Sequence, residues 1–62
     1  MKGLEVVILA YLYTQNVNTA EMRKAIRELL ASKAIDDQDA ADEGIQLLAI
    51  LEVLKEQAKD KR

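Results

Sequence analysis

A chain of 62 residues has room for one hydrophobic core. It carries neither Cys nor His, so disulfides, thiolate metal sites and the commonest zinc chemistry are excluded. A net charge of −2 argues against non-specific nucleic-acid binding, which needs an excess of Lys and Arg to neutralise phosphates.

The first segment, LEVVILAYLY from Leu4 to Tyr13, is apolar at every position except Glu5. As a helix its ten residues would span about 15 Å, half of a bilayer core, so it is too short to cross a membrane. The following TQNVNTAE offers no small-residue cleavage pattern, so the segment is expected to stay in the mature protein rather than leave as a signal peptide. Val6, Val7, Ile8, Tyr11 and Tyr13 favour strand by residue type. Nothing later in the chain reads as a strand to pair with it, however, and no Gly or Pro punctuates the run. The segment is therefore expected to be a helix over about 4–14, apolar all round and buried by other protein. The alternative is a strand paired with its own copy across a dimer.

The second element is an amphipathic helix over 19–34. Asn18 as N-cap and Glu21 three residues later form a capping-box pattern, with Val17 and Met22 at the hydrophobic-staple positions. Met22, Ala25, Ile26, Leu29 and Leu30 fall within an arc of about 140°, and Glu21, Arg23, Lys24, Arg27, Glu28 and Ser32 lie outside it.

The third element is expected over 37–59. Asp36 or Asp37 serves as N-cap, and acidic residues occupy the first turns, where the helix dipole favours them. Lys55, Lys59, Lys61 and Arg62 gather at the other end. Leu47, Ile50, Leu51, Leu54 and Ala58 form one apolar stripe, while Ile45, Leu48, Ala49 and Val53 lie on its flanks. Gly44 costs this helix about 1 kcal/mol relative to Ala. It reads either as drift in an exposed turn or as a place where another helix approaches closely.

Chemistry-bearing patterns are sparse. Without His or Cys, and with only Thr14, Thr19 and Ser32 as aliphatic hydroxyls, no acid–base or nucleophilic constellation can be assembled. No enzyme and no cofactor are expected. Five carboxylates stand in the eight residues Asp36–Glu43, but both registers of a calcium-loop pattern fail. From Asp37, position 5 is Ala41 and position 12 is Leu48. With Gly44 at position 6, position 12 is Ile50. The acidic run thus reads as a solvated helix start or as a docking patch for a basic partner.

VVILAYLYTQNVNTAEMRKAIRELLASKAI loosely resembles the opening of a winged-helix domain, which would imply DNA binding. It lacks the short turn before a recognition helix, and no hairpin wing follows. If the first segment is a strand, the order strand–helix–helix resembles ribbon-helix-helix repressors. Those need a strand that alternates apolar and polar residues, and Val6 to Tyr13 does not alternate.

The expectation is an all-α single domain over 1–62. The second and third helices form an antiparallel hairpin, with Met22, Ala25, Ile26, Leu29 and Leu30 against Leu47, Ile50, Leu51 and Leu54. Surplus apolar surface then predicts a helical-bundle homodimer or higher even oligomer. Leu4, Val7, Ile8, Tyr11, Leu12, Leu48 and Val53 are expected in its interface. The expected function is that of a small cytoplasmic, non-catalytic regulatory protein that binds itself and a larger protein partner, with no membrane and no nucleic acid involved. Asp36, Asp37, Asp39, Asp42 and Glu43, with Arg23, Lys24 and Arg27, remain for docking. A DNA-binding regulator of winged-helix or ribbon-helix-helix type is the alternative.

Overall fold

Three helices account for most of the described residues: α1 over Lys2–Thr14, α2 over Thr19–Ala31 and α3 over Gln38–Asp60. The structure, a computed structural model, describes residues 2–60. There is no strand among the described residues, so the strand alternative for the first segment is overturned. With no second strand to satisfy its amides, the backbone closes its hydrogen bonds within a helix. The cations Lys61 and Arg62, expected at the end of the third helix, lie outside the described residues.

Local chemistry sets the boundaries. At the end of α1, the Thr14 hydroxyl donates to Ala10 O (2.9 Å), and Gln15 turns out of the helix at φ 55°. Asn18 caps α2 as expected, its side-chain oxygen accepting from the N–H groups of Ala20 (2.9 Å) and Glu21 (3.2 Å). Only half of the capping box forms, because the Asn18 N–H donates to Asn16 Oδ1 (2.8 Å) instead of to Glu21. The staple is absent too: Met22 is buried, but Val17 is 71% exposed.

α2 stops at Ala31, three residues short of expectation. Lys33 there adopts φ 67°, and the N–H groups of Lys33 and Ile35 donate back to Leu30 O and Leu29 O, both at 3.1 Å. This left-handed turn satisfies carbonyls that the helix end leaves open. Ile35 can then fold under the molecule as part of the core. Asp37, not Asp36, caps α3, its carboxylate accepting from the Ala40 N–H at 3.1 Å.

All three helix pairs are in contact, and α1 against α3 is the most extensive pairing, ahead of α2 against α3. The core consists of Val6, Ala10, Met22, Ala25, Ile26, Ile35, Ala40, Ala41 and Leu48, with Val7, Leu29, Leu30 and Ile45 packed around it. The face that α3 buries is therefore Ala40, Ala41, Gly44 and Leu48. The larger stripe expected there is left outside: Ile50, Leu51 and Leu54 are exposed, and Leu47 is half-buried.

Close helix approach explains the exchange. A Cβ on Gly44 would stand 3.0 Å from Val6 Cγ1 and 3.1 Å from the Gly3 carbonyl oxygen. One on Gly3 would collide with the Glu43 side chain at 2.6 Å. The small residues Ala40, Ala41 and Gly44 permit this contact, so they face inward together with Leu48, and Ile50, Leu51 and Leu54 do not. Gly44 is thus a site of close approach, made within one chain.

Candidate interaction surface

Two apolar surfaces remain uncovered. On α1, burial is confined to Gly3, Val6 and Ala10. The opposite face presents Leu4, Ile8 and Leu12 at helical spacing, with Leu9, Tyr11 and Tyr13 beside them, all exposed. The second surface is the C-terminal half of α3, where Ile50, Leu51, Val53 and Leu54 are each about half exposed or more.

Of the seven residues expected at an oligomer interface, Leu4, Ile8, Tyr11, Leu12 and Val53 are exposed. Val7 is half-buried against the core, and Leu48 is only 1% exposed. Leu48 is a core residue of the single chain and is not available to a second one. The apolar flank on which it sits belongs to the inner face of α3, with Ala41 and Gly44. Leu9 and Tyr13, within the segment Leu4–Tyr13 expected in the interface, are exposed as well, whereas Ile50, Leu51 and Leu54, expected in the core, are at the surface. The sequence offered no signal for these last three, because which side of α3 faces inward depends on the close approach of α1 at Gly44.

The acidic run divides into structural and free carboxylates. Glu43 accepts from the Gly3 N–H (3.2 Å), satisfying an orphan amide at the start of α1 where negative charge is favoured. Asp37 caps α3 and pairs with Lys2 at 3.5 Å. The Ala40 N–H bond, which outweighs an opposing desolvation and is assisted by the Lys2 ammonium, holds the Asp37 carboxyl below its ordinary value of 3.8. Asp42 accepts from the Gln38 amide at 3.0 Å. Asp36, Asp39 and Asp42 are exposed.

The basic strip is likewise reduced. Arg23 donates to Glu52 at 2.7 Å and to Thr19 O at 3.4 Å, bracing α2 against α3. Lys24 and Arg27 stay exposed.

Between α1 and the α2–α3 connection lies an open cleft of about 300 Å³. Its floor is Val6, Leu9, Ile35 and Ala40, and its rim is Lys2, Glu5, Asp36 and Asp37. The floor offers no nucleophile or base. Among the described residues no three Asp or Glu side chains converge as metal ligands, and no helix is long and apolar enough to cross a membrane.

The arrangement defines a three-helix protein with uncovered apolar faces and an acidic end. Comparison with protein-family models, curated proteins and solved structures finds no match.

Proposed function

We propose that this chain is a non-catalytic helical interaction protein that self-associates through its apolar faces, acts in the cytoplasm and regulates a larger protein partner. The observation that carries this reading is the amount of surface the chain leaves uncovered. Its accessible surface is 4611 Å², against about 4000 Å² for a typical folded monomer of its mass. Its radius of gyration of 12.0 Å compares with about 10.6 Å for a compact 62-residue domain. Large apolar side chains on α1 and on the second half of α3 are exposed, and contiguous apolar patches mark interfaces. Self-association supplies stability that so small a core lacks, and the exposed carboxylates Asp36, Asp39 and Asp42 offer a partner polar contacts beside it.

Light scattering across a dilution series tests the reading. The expected result is a dimer or higher even oligomer at micromolar concentration, and a folded monomer there would overturn it. Capture of partners from the native host then tests the second half.

No specific observation favours the DNA-binding alternative. Arg23 is engaged by Glu52, and no strand is available for a wing or a ribbon among the described residues. Retention of DNA at about 150 mM salt, where exposed charges are screened beyond about 8 Å, would revive it.

A further inference from the structure

We infer that the cleft between α1 and the α2–α3 connection is the docking site for the larger protein partner. Its occupant is a partner segment in which one aliphatic side chain stands between lysines or arginines. The inference rests on the partner half of the function proposed above and not on self-association.

Short local features build the cleft. The left-handed turn at Lys33 and the backbone bonds that close α2 bring Ile35 under the body, where it is 7% exposed. Ala40, the third residue of α3, has a side chain too small to fill the space beside it. On α1, Val6 turns inward, and Leu9, three residues on, stands 42% exposed as an open wall. The hollow left between them is about 300 Å³, at the low end for a ligand pocket. It has room for one or two apolar side chains.

Charge on the rim selects the occupant. Glu5 lines the cleft from α1 and Asp36 from the connection. Both are exposed, and neither has an ion-pair partner among the described residues. Lys2, the one cation in the lining, is held by Asp37 at 3.5 Å. Lys33, the cation of the connection, is not part of the lining, whereas the first turns of α3 add the exposed Asp39 and Asp42. Carboxylates on two walls of an apolar hollow repel an acidic or phosphate-bearing partner. They complement an apolar group that has a cation on either side of it. One anchored side chain with exposed charges around it makes a weak contact, with a dissociation constant of roughly 0.1–1 mM.

The probe is a synthetic pentapeptide, Lys-Lys-Leu-Lys-Lys, titrated into isotope-labelled protein and followed by amide chemical shifts. Shifts are expected at Glu5, Leu9, Ile35 and Ala40, and none at Val53. Replacing the central Leu of the peptide by Ala should weaken binding at least about fivefold, and Glu-Glu-Leu-Glu-Glu should not bind. In the protein, Leu9→Lys should weaken binding about tenfold and Asp36→Lys about threefold. Leu4→Lys makes the same chemical change at a side chain 51% exposed, about 140° round α1 from Leu9, and should leave the affinity unaltered. Circular dichroism verifies the helices. Should Leu9→Lys lower helicity, Leu9→Ala carries the same comparison. Equal binding of the Leu and Ala peptides would overturn the docking site. So would a loss for Leu4→Lys as large as for Leu9→Lys, or no saturable shift at about 5 mM peptide. Light scattering of the unaltered chain reads self-association separately. An oligomer that ignores the peptide loses only the docking site, and a monomer that binds it keeps the site without the oligomer.

Discussion

Gly44 shows how one residue can carry a packing decision. In an exposed helix, Gly to Ala gains about 1 kcal/mol through propensity. Here the added methyl would press on Val6 Cγ1 at 3.0 Å and on the Gly3 carbonyl at 3.1 Å, and overpacking of this kind costs about 1–3 kcal/mol. Gly44→Ala is therefore expected to lower stability, by roughly 1 kcal/mol after the propensity gain. Denaturant unfolding gives the sign, and a stabilised variant would contradict the close contact of α1 and α3. Asp37 supplies a second test. Its carboxyl is held below 3.8 in the folded chain, chiefly by the Ala40 N–H. A depressed folded pKa contributes stability that is complete above the ordinary value and lost as pH falls through the folded one. The contribution should thus be intact at neutral pH and disappear below about pH 4. Asp37→Asn retains a capping oxygen but cannot titrate, so its thermal midpoint should fall less over that interval than that of the unaltered chain.

At the scale of the helices, two leucines six residues apart on α3 have opposite roles. Leu48 is buried at 1% exposure and Leu54 is 55% exposed. Leu48→Ala should cost about 2–5 kcal/mol, through lost transfer energy and the cavity left behind. Leu54→Ala should change the stability of an isolated chain by no more than about 0.5 kcal/mol, and should instead weaken self-association. Thermal unfolding at low concentration separates the two, with sedimentation as the second readout. Much of this was legible beforehand. Asn18 as a cap, the buried stripe Met22, Ala25 and Ile26, and the three helical segments follow from spacing and residue type. The inward face of α3 was not legible. Periodicity ranks faces by bulk, and here the smaller face won because Gly3 and Gly44 let α1 come close.

At the scale of the whole molecule, the surplus surface links stability to concentration. If self-association buries the exposed apolar residues of α1 and of the second half of α3, the folded state gains from mass action, and its unfolding midpoint depends on protein concentration. Raising the concentration a hundredfold should raise the midpoint measurably by calorimetry, whereas a self-sufficient monomer would show no shift. The candidate surface was partly foreseen, since Leu4, Ile8, Tyr11, Leu12 and Val53 were expected there and are exposed. Leu48 was misplaced, and Ile50, Leu51 and Leu54 were assigned to the core. Their exposure depends on which side of α3 the other two helices occupy, a property of three helices together.

By itself the sequence determined the helical class, the cap at Asn18 and the absence of thiol and imidazole side chains. These depend on residue type and on contacts only a few positions apart, which a linear reading captures. Only the tertiary structure decided which side of α3 is inside, that Glu43 and Arg23 are committed to holding helices together, and that Ile50, Leu51 and Leu54 are left exposed. Each of these is settled by competition among surfaces distant in the chain for the same buried space. Close packing awarded that space to the residues small enough to let the backbones meet.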